Sequence, residues 1–425
     1  MTDLPAGTSG EHAEPVEHAE PVEHAEPVEH PALVAYQRRT SRNSRIYAAV
    51  LVLLMLLAFI GVRLAYAHGE LNKVSFRTAP SPSPAPNGLP GAALRLAWHT
   101  DDTAAGGSPY DSGVVVSYAG HTVNGRDAVT GTVRWHYTRS DQTLCSVLQQ
   151  DGTTIAIYRR KGNCDEVTGF ATATGQPKWY RTLTDDGETA ATSTSNVVLT
   201  ANQHIVHAFD NAGGLDRWDW TAPANCTVRH ALTGSLGVLV SMDCGGNHQL
   251  VLHDLISDTV KWTVNTGAAL LPIVADGFLG ALDPATGVVF RYTADKGAAS
   301  QSARLPVAIA SSSSNPAELP TVVAGVTATD AAGQSVQLVL LSRLYVFSQD
   351  GSLRWSASAT GGAWPVADAY VICQLGPDRV VLRRTDGGQV QLDSVLSPPA
   401  RSATSRTFPV AGGVLLAGNG IALYR

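Results

Sequence analysis

Five cysteines are the residues of this 425-residue chain whose spacing most clearly indicates a chemical role, namely disulfide formation. They are Cys145, Cys164, Cys226, Cys244 and Cys373. A turn centred on Ser235 would place Cys226 directly opposite Cys244 across two antiparallel strands, within the distance that a disulfide requires. We therefore predict a Cys226–Cys244 disulfide.

The first two cysteines have a similar arrangement, because the dipeptide Lys-Trp follows each cysteine pair. A turn at Asp151-Gly152 would place Cys145 opposite Tyr158, so a Cys145–Cys164 disulfide needs a bulge or a loop near residues 161–162. We predict this disulfide as well, with buried free thiols as the alternative for both pairs. Closing a loop of this size stabilises a protein by about 3 kcal/mol in the chain-entropy model.

Cys373 has no candidate partner, and we expect it to be a buried free thiol. The chain has no C-x-x-C motif, so the cysteines do not indicate a zinc site.

Four histidines recur at intervals of six residues in an N-terminal EHAEPV repeat, each beside a glutamate: His12, His18, His24 and His30. Since no fixed geometry holds them together, we predict no metal site there.

Two clusters of polar residues are dense enough to be considered as catalytic or metal-binding sites. They are His99 with Asp101 and Asp102, and the acidic run at residues 185–188. Both are more typical of loops or turns. The zinc-protease, nucleophile-elbow, P-loop and EF-hand motifs are all missing from the sequence. We therefore predict no catalytic, cofactor-binding or metal-binding residue and no enzymatic activity.

The net charge of −6 is unevenly distributed along the chain. Residues 1–37 carry −8, residues 38–67 carry +5 and the remainder carries −3. Glu- and Pro-rich repeats with few large apolar side chains cannot bury enough surface to offset chain entropy, so we predict that residues 1–37 form a disordered acidic tail. No segment is basic enough to suggest nucleic-acid binding.

Residues 38–67 contain the elements of a membrane anchor. Ile46 to Val62 is an uncharged apolar run, and the segment reaches Ala67 if Arg63 extends towards the headgroups, which brings it close to the ~30 Å of a bilayer core. Four arginines precede the run and one follows it, so the N-terminus is predicted to be cytoplasmic. The alternative is a signal peptide cleaved after Ala67. The long N-region and Arg63 favour an uncleaved signal anchor.

Five prolines in residues 68–93 predict a stiff extracytoplasmic spacer that holds a domain away from the membrane. From residue 94 to residue 425, short runs of Val, Ile, Leu and Tyr alternate with Gly, Asp and Asn, and no stretch sustains helical periodicity. This region is predicted to be all-β.

One pattern recurs through the all-β region: a strand, a turn centred on Gly, and a strand with an aromatic residue. Its marker positions are Trp98, Trp135, Trp179, Trp218, Trp262, Phe290, Trp355 and Leu392. Their intervals scatter around the ~40 residues of a four-stranded propeller blade. The LRLAW strand that contains Trp98 could complete a last blade begun by residues 408–425. We predict an eight-bladed β-propeller, with seven blades as the alternative.

The core of the pattern, D-x-x-T-G-x-x-x-W in Asp127 to Trp135, resembles the PQQ-like repeat of quinoprotein alcohol dehydrogenases and BamB-type outer-membrane assembly scaffolds. The resemblance implies that each Gly makes a tight turn and that each Trp docks between neighbouring blades. Quinoprotein dehydrogenases also carry adjacent cysteines, which this chain lacks, so the resemblance is to the repeat only and implies no cofactor. The membrane anchor followed by a Pro-rich segment looks like actinobacterial envelope proteins with such repeats.

These features predict a single-pass cell-membrane protein whose extracytoplasmic propeller is a non-catalytic binding or scaffolding module. Its partner would be an envelope protein or a cell-wall component. A degenerate quinoprotein-type enzyme and an extracytoplasmic ligand sensor are the alternatives. The sequence identifies neither the partner nor the ligand.

Overall fold

The computed structural model of the protein describes residues 46–63, 70–81, 88–183, 190–193, 197–305, 323–330, 333–340, 343–360, 362–366, 369–400, 406–410 and 412–425. The chain divides into two compact units, Met1–Gly69 and Glu70–Arg425. In the first unit, Ile46–Arg63 forms a helix, α1, that is long and apolar enough to cross a membrane. The acidic tail with its four histidines lies outside the described residues.

The second unit consists almost entirely of β-strands after a short 3-10 helix at Glu70–Lys73. The strands at its start are β1 (Val74–Arg77), β2 (Ala93–Ala104), β3 (Gly106–Gly107), β4 (Tyr110–Asp111), β5 (Val114–Ala119), β6 (Thr122–Asp127) and β7 (Val133–Arg139). The strands at its end are β28 (Trp364–Val366), β29 (Tyr370–Gln374), β30 (Arg379–Arg384), β31 (Val390–Ser397), β32 (Arg406–Val410) and β33 (Gly413–Tyr424).

Between these two groups lie five sheets, each with four consecutive strands. Sheet 1 contains β8 (Thr143–Gln150), β9 (Thr153–Arg160), β10 (Asn163–Ala171) and β11 (Pro177–Thr182), and β3 joins its inner edge. Sheet 2 contains β12 (Ala190–Ser193), β13 (Val197–Ala201), β14 (Ile205–Asp210) and β15 (Asp216–Thr221). Sheet 3 contains β16 (Cys226–Gly234), β17 (Gly237–Cys244), β18 (Asn247–His253) and β19 (Val260–Asn265). Sheet 4 contains β20 (Leu271–Val274), β21 (Leu279–Leu282), β22 (Val288–Tyr292) and β23 (Ala299–Arg304). Sheet 5 contains β24 (Val323–Asp330), β25 (Gly333–Leu340), β26 (Arg343–Ser348) and β27 (Leu353–Ser358).

The four main strands of each sheet are joined as antiparallel hairpins in chain order. In sheet 1, Asp151 and Gly152 form the first hairpin turn with φ values of 43° and 75°, the left-handed conformation that two-residue hairpin loops require. The first strand of each sheet contacts the first strand of the next, from β8 through β12, β16 and β20 to β24. Successive four-stranded sheets that adjoin along their first strands form a β-propeller.

The hydrophobic core is divided among the interfaces between successive sheets. Leu199 and Val206 of sheet 2, for example, pack in one cluster with Val228 and Val240 of sheet 3. Inner strands such as β9, β13 and β17 therefore bury residues on both faces, which explains why they are apolar runs rather than alternating sequences.

The strands at the two ends of the second unit form one twelve-stranded sheet, here called the joined sheet. Strand β2 connects its parts: residues 93–95 pair in parallel with β31, Leu96–Thr100 pair with β33, and residues 103–104 pair with β5. The predicted pairing of the LRLAW strand with the C-terminal strand is present, with Trp98 opposite Leu423.

The described parts of residues 68–93 do not form the spacer that we predicted. Strand β1 pairs with β7, and the Ala79 amide donates to the Thr174 carbonyl at 2.9 Å. Beyond the prolines, the Ser394 hydroxyl donates to the Gly91 carbonyl at 2.7 Å. Both ends of the Pro-rich segment are thus bonded to the propeller unit. For these described residues the prediction was wrong because Val74 packs into the core cluster of Tyr137, a contact that proline spacing does not reveal. Residues 82–87, in the middle of the Pro-rich segment, lie outside the described residues.

The assignment of Phe290 to a marker position is also wrong. Phe290 lies on β22, the third strand of sheet 4, whereas the marker tryptophans of sheets 1, 2, 3 and 5 lie on fourth strands. The true equivalent is Gln301 on β23, which is paired with Phe290. Two similar glycine turns occur in this sheet, before and after β22, and the sequence pattern does not distinguish them. With Gln301 as the marker, the interval after Trp262 is 39 residues, whereas with Phe290 it is 28 residues.

Candidate functional site

The marker tryptophans dock on the sheet that follows each of them. The Trp135 indole Nε1–H donates to the Thr172 carbonyl at 2.8 Å, and its ring covers Gly175, where an added Cβ would lie 2.5 Å from the ring. Gly175 has a φ of 69°, so glycine satisfies both the backbone conformation and the space at this turn. The same bond to the carbonyl three residues before the covered glycine is made by Trp98, Trp179 and Trp355, which cover Gly131, Gly214 and Gly388.

The remaining marker positions depart from this rule, although the Trp262 ring still covers Gly297. Trp218 and Trp262 are buried, but their indole N–H groups find no acceptor among the described residues. The turn that follows Trp218, between β18 and β19, contains no glycine, and Trp218 instead stacks on His253 with ring centroids 5.1 Å apart. Leu392 lies on β31, which adjoins β2 rather than a glycine turn.

Both predicted disulfides are confirmed. Cys226 and Cys244 are direct register partners on β16 and β17. Cys145 and Cys164 lie on β8 and β10, on either side of β9, and a register irregularity at each cysteine brings their Cα atoms to 6.1 Å. Cys373 is a buried free thiol, and burial raises its pKa to about 11.

The cluster around Asp102 is a structural ion pair. The Asp102 carboxylate accepts hydrogen bonds from Arg126 at 2.7 Å and from Ser117 at 2.8 Å. Burial alone would raise the pKa of Asp102, but these hydrogen bonds outweigh burial and lower it. The Asp102 carboxylate therefore links β2 to β5 and β6 by hydrogen bonds. The acidic run at residues 185–188 lies outside the described residues.

An open groove of about 500 Å³ lies between the joined sheet and sheet 1. We call it the aromatic groove, and its lining residues are Val74, Phe76, Tyr137, Arg139, Thr168, Pro177, Lys178, Trp179 and Tyr180. Strand β1 supplies one wall and β11 the opposite wall, so the site exists only because residues 74–77 pair with β7.

The chemistry of the aromatic groove suits an apolar ligand with acidic or carbonyl groups. Phe76 and Tyr180 are 54% and 52% exposed, which is unusual for large aromatic side chains. Lys178 supplies positive charge, whereas the buried Arg139 guanidinium is paired with the Asp141 carboxylate, and none of the lining residues is acidic. Burial raises the pKa of Tyr137, so its hydroxyl stays protonated.

The groove also lies between two sheet edges. Strands β1 and β11 have no partner on their outer sides among the described strands, so they present unpaired backbone N–H and C=O groups. An extended peptide can bind such an edge with its main chain and fill an adjacent pocket with a side chain. The repeat pattern predicts only a slot between sheets for Trp179. It does not indicate the groove, because residues 74–77 fall within the predicted spacer.

Comparison with known proteins shows likeness at the level of the fold. No protein-family model and no curated protein matches the chain. Among solved structures, the computationally designed Ika8 protein is 13% identical, with a TM-score of 0.52 over 79% of this chain and 99% of that one. BamB from Moraxella catarrhalis is 13% identical, with a TM-score of 0.49 over 78% of this chain and 100% of that one.

Quinohemoprotein alcohol dehydrogenase from Comamonas testosteroni is 12% identical, with a TM-score of 0.47 over 78% of this chain and 76% of that one. At such identities a likeness extends to the fold and not to the site. The chain is a β-propeller protein with one helix able to cross a membrane, and its function has to be inferred from its own residues.

Proposed function

We propose that this protein is a single-pass membrane protein whose β-propeller binds an extended segment of a partner protein of the cell envelope in the aromatic groove. The observation that carries this proposal is the pair of exposed rings, Phe76 and Tyr180, facing an open groove between two unpaired sheet edges. Aromatic side chains in such positions dominate the energetics of protein–protein interfaces.

The pairing of β1 with β7 supports an extended partner in particular. Residues 74–77, which precede the repeats, add a fifth strand to the outer edge of the β5–β6–β7 hairpins. The outer edge of β11, on the other side of the groove, offers the same backbone chemistry and is unpaired. A partner strand added there would place alternate side chains against Phe76 and Lys178.

We further propose that the propeller lies outside the cytoplasm. Four arginines precede α1 and one ends it, which favours a cytoplasmic N-terminus. The two disulfides support the same orientation, because disulfides persist in oxidising compartments and are rare in the cytosol.

We also propose eight blades. Sheets 1 to 5 account for five, and the joined sheet would account for three: β5–β7 with the end of β2, β28–β31, and β32–β33 with the middle of β2. Strand β33 supplies two strands of the last blade, because Gly413 at its start lies against Tyr424 at its end.

Thiol counting tests the orientation. The protein purified under non-reducing conditions is expected to show no reactive thiol while folded, because Cys373 is buried and its pKa is raised to about 11. One thiol per chain should become reactive with Ellman's reagent after denaturation. Five reactive thiols per chain after denaturation, in protein taken directly from cells quenched with acid, would contradict an extracytoplasmic propeller.

Site-specific photocrosslinking in cells tests the binding function. A photoreactive amino acid at Tyr180 is expected to capture one partner protein, whose crosslinked peptides identify the segment in the groove. The substitution Phe76→Glu should reduce this product by about tenfold or more, because it places a charge where an aromatic anchor is expected.

Ile256 provides the matched control, since it is 50% exposed but lies on sheet 3, away from the groove. The same photoreactive amino acid at residue 256 should not capture the partner. Absence of a product from residue 180, or an equal product in the Phe76→Glu variant, would reject the groove as the binding site.

A further inference from the structure

A second cavity, of about 210 Å³, lies between sheet 3 and sheet 4 and is separate from the aromatic groove. Strands β16 and β17 and the start of β18 form one side, and the start of β20 with the turn after β21 forms the other. Its lining residues are Arg229, His230, Ser241, Met242, Asp243, His248, Ala269, Leu270, Leu271 and Pro284.

The wall of this cavity contains a hydroxyl group that lacks a partner. Ser241 is only 4% exposed, and its Oγ has no hydrogen-bond partner among the described residues. Buried hydroxyl groups are normally bonded, so an unbonded one that faces a cavity indicates a missing acceptor or donor.

His230 can act together with Ser241 on one ligand atom. The two residues are register partners on β16 and β17, so their side chains leave the same face of the sheet as close neighbours. Burial, reinforced by the charge of Arg229, lowers the pKa of His230. Its ring is therefore neutral at pH 7 and offers one nitrogen as an acceptor.

The charged groups at the rim are occupied with each other. Arg229 donates to the Asp243 carboxylate at 3.1 Å, and the Gly246 amide donates to the same carboxylate at 2.9 Å. Arg229 is thus not free to pair with a carboxylate or phosphate ligand. Apart from His248, the rest of the cavity wall is apolar and consists mainly of Ala269, Leu270, Leu271 and Pro284.

We infer that this cavity binds a small phenol, either free or as part of a larger molecule. An apolar protein cavity of about 150 Å³ accepts benzene, so a cavity of 210 Å³ accepts a six-membered ring with a small substituent. The phenol hydroxyl would accept a hydrogen bond from Ser241 and donate one to His230, while the apolar residues enclose the ring.

Titration of the full-length protein in lipid nanodiscs with p-cresol tests this inference, with empty nanodiscs subtracted. Saturable binding is expected, and Ser241→Ala should weaken it by about 2- to 13-fold, the range for loss of one neutral hydrogen bond. Toluene, which has the same shape without the hydroxyl, should bind more weakly than p-cresol and with equal affinity to both proteins.

Ser146→Ala is the matched control, because it removes another unpartnered buried hydroxyl from sheet 1, away from the cavity. It should leave p-cresol affinity unchanged, and the urea midpoints of both variants should match that of the natural protein. Absence of saturable binding, equal p-cresol affinity in the Ser241→Ala variant, or preference for benzoate would each overturn the inference.

Discussion

Replacing Trp135 with alanine is expected to lower the free energy of unfolding of the propeller by about 3–5 kcal/mol, the range for a fully buried large aromatic side chain. Trp135 is 0% exposed, and its ring lies between Gly125 of its own sheet and Gly175 of sheet 1. The substitution would leave a cavity between these sheets and would remove the donor that the Thr172 carbonyl uses. Urea unfolding at neutral pH measures the loss as a lower midpoint.

Tyr180→Ala is the control for side-chain removal, because Tyr180 is an exposed aromatic residue. It should change the free energy of unfolding by less than about 0.5 kcal/mol. Two glycine variants distinguish the effect of the docking contact from the effect of backbone strain. Gly175→Ala places a Cβ 2.5 Å from the Trp135 ring. Gly120→Ala, at a similar positive φ, places a Cβ that has no other atom within 4 Å. An equal loss in these two glycine variants would show that the Trp135 contact contributes nothing.

Acidification from pH 6.5 to pH 4 is expected to destabilise the propeller by about 3 kcal/mol through His253 alone. His253 is 0% exposed between Trp218 and Trp220, and burial lowers its pKa to about 4. In the unfolded chain the His253 ring is protonated below about pH 6.5, whereas in the folded chain it is protonated only below about pH 4. The stabilising contribution is therefore complete above pH 6.5 and is lost as the pH falls through this window.

His253→Phe keeps an aromatic ring between the tryptophans and removes the titrating group. The difference in unfolding free energy between this variant and the natural protein should grow by about 3 kcal/mol in favour of the variant between pH 7 and pH 4. His204→Phe, at an exposed histidine, should leave the pH profile unchanged. Parallel profiles for the natural protein and the His253→Phe variant would show that the buried ring is not responsible.

How much of this structure could be predicted depended on whether a feature is local in the sequence. The Cys226–Cys244 disulfide follows from counting residues along one hairpin, and the structure pairs these residues directly. The Phe290 assignment failed because residues 283–287 and 293–297 are both glycine turns, and only the order of strands in the sheet decides which one precedes the outer strand.

The aromatic groove was not predictable in the same way. Phe76 and Tyr180 are more than 100 positions apart in the printed sequence, and no pattern links them. They share a site because β1 pairs with β7, and a four-residue strand has too little sequence for alternation to identify it. Ser241 and His230 could be placed on one hairpin from sequence, but the cavity beside them depends on the packing of sheet 4.

The pairing of β2 with β33 has a consequence for the order of folding. Arg406 and the carbonyl of Ala105 form a hydrogen bond across a sequence separation of 301 residues, so these contacts must wait until the C-terminal residues have been synthesised. Sheets 1 to 5 contain mainly local hairpins and can form earlier, whereas distant pairings close large loops and form slowly. Residues 93–100 of β2 thus stay unpaired until the C-terminal strands have been synthesised, and during that time they are exposed to aggregation and to capture by a chaperone.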